Sequence, residues 1–391
     1  MLDAILGYEH TGTILFYSVV VLLLYLNRKR FEFQGIIALY KTKLGLKQMD
    51  NWARKYGSII KKVSAVGVWV GFIVLVLSVA LIAHAAFRML IKPIALDGSP
   101  LVLPGVPIAG TGGVVFPLVI GWIALFIIIV VHEFSHGIVA RTYNIRVKSS
   151  GIIFLGPILG AFVEPDEKKL NKKNFKAANR IFAAGPWSNF ILTIIILLAS
   201  LFILSPLAQA ITEPAGVQIE TEDGFPAESI PEGTTITQVN GNTTLDINAF
   251  IANLDGLEPN QTVILGNDEN TYEVKATESP HNKSQGYLGV YLQNERISQY
   301  GTTGMIGYSI LQWLNELFFW VWFISLNIGI INLFPIFITD GARMLQITLQ
   351  RYIKDQKKAE KIWVNINKIC LILLLMIVFI PVGKSIFLMF T

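Results

Sequence analysis

Long runs of apolar residues constrain this sequence more than any other feature. A helix that crosses a membrane needs roughly 20 mostly apolar residues. We predict six such spans, at residues 11–27, 64–87, 117–141, 180–204, 308–334 and 362–383. Only 15% of the residues are charged, whereas soluble domains carry about 25%. The chain is therefore predicted to be a polytopic α-helical membrane protein.

Basic residues are concentrated in three of the segments that join these runs. Lys and Arg outnumber Asp and Glu by ten to two in residues 28–62, and by six to two in both 166–180 and 341–361. Because short loops rich in Lys and Arg stay in the cytoplasm, we place these loops there and both termini outside. The N-terminus lacks the basic start of a cleaved signal peptide, so we expect the first run to remain as an anchor in the cell membrane.

Residues 28–62 mix aromatic and aliphatic side chains with lysines and are too polar to span a membrane. We expect an amphipathic helix or elbow at the cytoplasmic surface of the membrane. A calmodulin-like or nucleic-acid-binding segment is the alternative, and nothing else in the sequence supports it.

Residues 211–300 differ in character from the rest, with fourteen acids against three bases. Short runs typical of strands, such as "TTITQVN" and "QTVIL", are separated by "NG" and "GN" turns. We predict a soluble, β-rich, extracytoplasmic module, in which the sequons at Asn242, Asn260 and Asn282 permit glycosylation. The predicted divisions of the chain are 1–112 (two spans and the elbow), 113–205 and 301–391 (a core of spans in two parts), and 206–300 (the module).

His132, Glu133 and His136 form an H-E-x-x-H pattern near the end of the third apolar run. The i, i+4 spacing puts both imidazoles on one face of a helix, where they suit two ligands of a zinc ion, with the glutamate beside them as a general base. Fourteen uncharged residues precede His132, or about 21 Å of helix. Ionisable groups at that depth are costly unless a partner such as a divalent cation compensates them.

Two ligands do not make such a site, so a third is needed. The chain has one cysteine, Cys370, which excludes a cysteine-ligated zinc site. Glu164 and Glu167 are candidates, but both lie in a basic loop where a solvated role is common. Asp340 lies in an apolar segment beside Pro335, which interrupts a helix. Broken helices at membrane depth line cavities or are buried in protein, which favours Asp340. The alternative is that Asp340 is the N-cap of a helix over 341–352.

Four stretches together resemble the site-2 protease family of intramembrane zinc metalloproteases: "HEFSH", "PILGAFVEPDE", "AAGPWSNFIL" and "SLNIGIINLFPIFITDG". The resemblance covers about 28–352 and is most specific at the first and last of these stretches. Within the β-rich module, "DGFPAESIPEGTTITQVNG" and "GYLGVYL" are similar to the PDZ domain of the family's bacterial and archaeal members. The family's usual Pro-x-Pro-x-Leu-Asp-Gly-Gly differs here, where Phe337, Thr339 and Ala342 occupy the third, fifth and eighth positions of the pattern.

The resemblance implies that His132, His136 and Asp340 bind one Zn2+ per chain and that Glu133 is the catalytic base. Asn332 would be a polar group near the scissile carbonyl. Residues 156–163 would form a strand or re-entrant hairpin embedded in the membrane. An unwound substrate would pair with this segment, at Gly160, Ala161, Phe162 and Val163.

The implied function is hydrolysis of a peptide bond within or next to the transmembrane segment of a single-pass membrane protein, with no nucleic acid as partner. The PDZ-like module would recognise peptide ends or exclude substrates with bulky outer domains; the resemblance favours exclusion. A non-catalytic membrane scaffold or chaperone with a structural metal site is the main alternative, although it would have no use for Glu133. A transporter is a second alternative, but no inverted repeat is evident.

Overall fold

The computed structural model describes residues 8–35, 37–91, 103–108, 114–155, 158–166, 169–170, 175–222, 224–280, 282–298 and 300–389. The chain forms two compact units. The membrane unit comprises Met1–Ala199 and Glu316–Thr391, and the β-rich unit comprises Ser200–Asn315.

Long apolar helices dominate the described residues. The helices are α1 (Tyr8–Leu26), α2 (Leu46–Ile91), α3 (Leu118–Thr142), α4 (Phe175–Ala199), α5 (Ser205–Ile211), α6 (Ile247–Asn253), α7 (Gly301–Leu333), α8 (Asp340–Tyr352) and α9 (Gln356–Met389). A π-helical turn, Ser200–Leu204, joins α4 to α5.

Five helical stretches of the described residues are long and apolar enough to cross a membrane: Leu46–Ile91, Leu118–Thr142, Phe175–Ile211, Gly301–Leu333 and Gln356–Pro381. They correspond to the second to sixth predicted spans, and a multi-pass membrane protein is therefore confirmed. The first predicted span coincides with the shorter α1, whose apolar part is Thr11–Leu26, so its crossing of the membrane stays a prediction. Each of these stretches includes a mostly apolar window of 18 residues, as expected where lipid surrounds a helix.

The membrane unit also contains a four-stranded antiparallel sheet in the order β1-β2-β3-β4. Its strands are β1 (Glu32–Gln34), β2 (Ile37–Thr42), β3 (Val147–Leu155) and β4 (Ile158–Pro165). β3 and β4 form a hairpin in which Gly151 pairs with Phe162 and Ile153 with Gly160. Gly156, the first residue of the predicted pairing segment, lies outside the described residues. β4 is an edge strand and packs against α3.

Of the predicted amphipathic helix or elbow, the helix is wrong for residues 32–34 and 37–42, which form β1 and β2 instead. Gly35 has φ +63°, a left-handed conformation that suits the turn between the two strands. β2 pairs with β3 along its whole length, from Ile37 opposite Leu155 to Thr42 opposite Ser150. This pairing joins segments more than 100 residues apart, so local periodicity in 28–62 could not reveal it. Only from Leu46 onward is the segment α-helical.

The β-rich unit has its own core. Its strands are β5 (Glu213–Thr221), β6 (Thr234–Ile236), β7 (Gln238–Val239), β8 (Asn242–Thr243), β9 (Thr262–Gly266), β10 (Thr271–Lys275), β11 (Thr277–Glu278), β12 (Gly286–Tyr287) and β13 (Val290–Ile297). They form sheets in the orders β13-β5-β6, β10-β9-β7-β8 and β11-β12. Asn240 and Gly241, both with positive φ, make the predicted "NG" turn between β7 and β8. Val217, Ile236 and Phe250 are among the core residues, all nearly inaccessible to solvent.

Candidate metal centre

Two histidines of α3 and one aspartate of α8 converge inside the membrane unit. His132 Nε2 lies 3.2 Å from Asp340 Oδ2, and His136 Nε2 lies 3.3 Å from the same oxygen. The helical spacing puts both rings on one face of α3, with their centroids 4.9 Å apart. Among the described residues, these three side chains form the cluster of His, Cys and acidic groups able to hold a metal ion.

The break between α7 and α8 brings Asp340 to this point. α7 ends at Leu333, and the hydroxyl of Thr339 donates to the Phe334 carbonyl at 2.7 Å. Thr339 is also the N-cap of α8, because its oxygen accepts from the Ala342 N–H. Asp340 is therefore the first residue of α8 and not its N-cap. The alternative prediction that Asp340 is an N-cap is wrong. A Cβ at Gly341 would collide with the Leu333 carbonyl, so glycine permits this tight reversal.

The distances in the cluster fit a tetrahedral metal site. With bonds of about 2.0–2.1 Å, two ligand atoms of tetrahedral zinc lie about 3.3–3.4 Å apart. The two Nε2–Oδ2 separations of 3.2 and 3.3 Å match that spacing. One carboxylate and two imidazoles are also a common set of zinc ligands.

Gly185 of α4 leaves a space open beside both imidazoles. A Cβ built at this position would overlap Nε2 of His132 and Nε2 of His136 at once. The residue is buried, and Pro186 follows it within the helix. Glycine here therefore keeps open the space next to both ligand nitrogens.

The other ring nitrogens of the two histidines have buried partners. His136 Nδ1 lies 2.7 Å from the Ile181 carbonyl, so it carries the proton and leaves Nε2 free for a metal. His132 Nδ1 lies 3.1 Å from the side-chain amide nitrogen of Asn189, which is fully buried. Exchange of the amide oxygen and nitrogen would let Asn189 accept from a protonated Nδ1, the tautomer that leaves Nε2 of His132 free. Such partners orient metal ligands in proteins.

We expect Asn189→Leu to weaken metal binding by roughly 10–100-fold, the usual cost of removing a partner behind a histidine ligand. Leucine has a similar shape but cannot accept from Nδ1 of His132. Metal titration of the purified variant measures the change. The matched control is Asn367→Leu, at another fully buried asparagine, whose amide donates to the Trp363 carbonyl in α9. An equal loss of metal in both variants would contradict the specific role of Asn189.

Glu133 lies beside the cluster and faces the hairpin. Its Oε2 accepts from the backbone N–H of Val163 at 3.1 Å. Both residues line a cavity of about 320 Å³ that also includes the three clustered side chains, Asn332 and Arg343. The cavity is large enough for water and a short stretch of extended chain, with Glu133 positioned between β4 and the metal ligands.

Of the other predicted site residues, some line the cavity of the metal centre and others do not. Asn332 lines the cavity, and its amide donates to the Ile328 carbonyl at 3.1 Å. Of the four residues proposed to pair with substrate, Val163 lines the cavity, whereas Gly160, Ala161 and Phe162 lie farther along β4.

Of the two glutamates considered as a third ligand, the structure describes Glu164, which does not join the cluster. Glu164 accepts from the Ser149 hydroxyl at 2.6 Å and is outside the cluster, and Glu167 lies outside the described residues. Sequence reasoning missed Gly185, although the quoted "AAGPWSNFIL" contains it. No pattern within one helix indicates that a glycine faces two histidines of another.

Comparison with known proteins places these residues in a family. The family model described as Peptidase family M50 matches residues 120–376, about two thirds of the chain, including all of the clustered side chains. An uncharacterized protein of Methanocaldococcus jannaschii is 29% identical over 313 residues, which cover 78% of this chain and 76% of that protein.

Proposed function

The chain belongs to peptidase family M50, a family of metalloproteases, and we propose that it is an intramembrane zinc protease. It would hydrolyse a peptide bond within or next to the transmembrane segment of a single-pass membrane protein. The observation that carries this proposal is the convergence of His132, His136 and Asp340 on one point, with Glu133 beside them in the same cavity.

His132, His136 and Asp340 would hold one zinc ion per chain. When bound, zinc supplies a Lewis acid that polarises water and carbonyl oxygen. Glu133 would take the proton from the attacking water and deliver it to the leaving nitrogen. A purely structural metal site would have no use for a carboxylate in this position, which argues against a non-catalytic scaffold.

Asn332 is the candidate donor to the oxyanion. A side-chain amide has two N–H groups, and one of them is taken by the Ile328 carbonyl. The second is free to point into the cavity that Asn332 lines. A donor aimed at the developing negative charge would stabilise the transition state.

The edge of β4 that faces away from β3 is the candidate site for substrate pairing. A helical substrate hides its carbonyls, so it must unwind before cleavage. Since the Val163 N–H points at Glu133 and away from β3, the two-residue period of a strand also directs the backbone of Ala161 outward. The backbones of Gly160 and Phe162 then face β3. An extended substrate would add to β4 through the outward groups, by β-strand addition.

We further propose that the β-rich unit is a PDZ-like domain held outside the cell, with the metal centre toward the cytoplasm. The charge distribution of the loops supports this orientation. A cavity of about 240 Å³ supports a PDZ-like groove; it is lined by Phe250 of α6, by Leu254 just after α6, and by Leu288 and Val290. Following the resemblance, we propose that the domain mainly excludes substrates with bulky outer domains.

Removal of residues 212–300 tests this exclusion. The start and end of the segment meet, because the Arg296 side chain donates to the hydroxyl of Thr212 at 2.6 Å and to its carbonyl at 2.8 Å. A short linker can therefore replace the segment. We expect the shortened protein to cleave substrates with large outer domains that the intact protein leaves uncut, as measured by cleavage in proteoliposomes. If those substrates still go uncut while truncated substrates are cleaved, the exclusion idea fails.

Metal analysis joined to a cleavage assay tests the proposed activity itself. We expect about one zinc per chain in purified protein, loss of cleavage of a single-pass model substrate on chelation, and recovery with added zinc. Asp340→Asn provides the matched variant, since it keeps the shape of a ligand and removes its charge. Cleavage that persists in metal-free protein would contradict the proposal.

A further inference from the structure

A second and larger cavity lies in the membrane unit. Its volume is about 460 Å³, and none of the residues that line it lines the cavity of the metal centre. α1 forms one wall through Phe16, Val20, Leu23 and Leu24. These positions follow the i, i+4, i+7, i+8 pattern of a single helix face.

The opposite wall is also apolar and is supplied by three other elements. Trp122 of α3, Phe154 of β3 and Leu159 of β4 face α1 across the cavity. Phe16 packs against Trp122, with ring centroids 6.0 Å apart. The side chains on both walls are mostly apolar, so this part of the cavity suits a hydrocarbon chain.

One end of the cavity is basic. Asn27 and Arg30 line it there, together with the aromatic rings of Phe31 and Tyr40. Arg30 ends the run Arg28, Lys29 and Arg30, and none of the three forms an ion pair within the described residues. Aromatic and basic side chains together are typical of the level of the lipid headgroups.

The length of the cavity matches one leaflet of a bilayer. Phe16 and Asn27 are eleven residues apart on and just after α1, or about 16 Å at 1.5 Å per residue. The hydrocarbon core of a bilayer is about 30 Å thick, so one leaflet is about half of that. A lipid whose phosphate lies at Arg30 would extend its acyl chain to the level of Phe16 and Trp122.

We propose that this cavity binds one anionic phospholipid, with an acyl chain along α1 and the phosphate at Arg30. The charge of the basic end selects an anionic headgroup over a zwitterionic one, and the apolar walls hold the chain. The bound lipid joins α1 to the sheet that contains β4. An apolar transmembrane helix is the competing occupant, but it offers no negative charge to the basic end.

Native mass spectrometry of the full chain in detergent measures this binding. The protein is titrated with phosphatidylglycerol and, separately, with phosphatidylcholine of the same acyl chains. We expect one phosphatidylglycerol to bind first and more tightly. Arg30→Gln should weaken that binding about fivefold, the contribution of one basic residue near an anionic surface. Lys29→Gln, the same change of charge one residue outside the cavity lining, should have a smaller effect.

A pair of tryptophan substitutions tests the position of the acyl chain. Val20→Trp fills the cavity and should weaken the binding of phosphatidylglycerol at least tenfold. Val19→Trp adds the same side chain at a neighbouring position of α1 that does not line the cavity and is 44% exposed, so it should bind as the unmodified protein does. Phosphatidylglycerol with brominated acyl chains should also quench tryptophan fluorescence. Trp122→Phe should remove the component of the quenching that saturates at low lipid concentration.

Three results would overturn the proposal. Equal affinity for the two lipids would remove the selection by charge. Unchanged binding in Val20→Trp would place the chain elsewhere. Displacement of the lipid by an uncharged transmembrane peptide whose own binding is unaffected by Arg30→Gln would identify the cavity as a peptide site. None of these results depends on proteolytic activity.

Discussion

Glu133→Gln is expected to lower peptide cleavage by about 10²–10⁴-fold, the usual contribution of a general acid–base residue. Glutamine has the shape of glutamate, and its side-chain oxygen can still accept from the Val163 N–H, as Glu133 does at 3.1 Å. It cannot take a proton from water at neutral pH. The cavity and the three metal-binding side chains should therefore be unchanged, and only the proton transfer should be lost.

Two measurements on the same preparation separate these effects: zinc content and the rate of cleavage of a single-pass substrate. The matched control is Glu164→Gln, because Glu164 is a neighbouring acid of β4 whose carboxylate accepts from Ser149 and lies outside the cluster. The control should cleave at nearly the original rate. Turnover near that rate in Glu133→Gln would exclude Glu133 as the base. A loss of zinc that parallels the loss of cleavage would show instead that Glu133 is needed for metal binding.

Gly185→Ala is expected to abolish metal binding. The added methyl group would overlap Nε2 of both His132 and His136. Neither ring can move away without losing a hydrogen-bonding contact. His136 is held through Nδ1 by the Ile181 carbonyl, and His132 contacts Asn189. We expect zinc affinity to fall by more than the roughly 10–100-fold that loss of a partner behind a ligand costs, and cleavage to fall with it.

The control for this substitution is Gly383→Ala in α9, where an added Cβ would meet no atom of the described residues within 4 Å. Alanine in place of glycine in a helix stabilises it when space allows. Thermal unfolding in detergent should show that both variants fold, and zinc titration should separate them. Normal zinc affinity in Gly185→Ala would show that the metal does not bind in the space between Gly185 and the two imidazoles.

Much of the membrane unit follows from local features of the sequence. A run of 20 apolar residues has few alternatives to a spanning helix, because each backbone polar group must be satisfied within lipid. The five long helices accordingly coincide with predicted spans. The pairing of β2 with β3 had no such local signal, since residues 28–62 are equally compatible with a surface helix when their partner strand is unknown. The prediction from sequence was therefore wrong for β2, because this strand is stabilised by pairing with a segment far away in the chain.

The same distinction applies to the candidate metal centre. His132, Glu133 and His136 could be recognised from their spacing, because four residues make about one turn of any helix and so the two rings share a face wherever that helix lies. The third partner could not be chosen by spacing, since Asp340 is 208 residues from His132. Its position depends on where α7 ends, how Thr339 starts α8 and how these helices pack on α3. The roles of Gly185 and Asn189 likewise arise from packing, because a missing side chain or a buried amide gains its effect from the atoms of other helices.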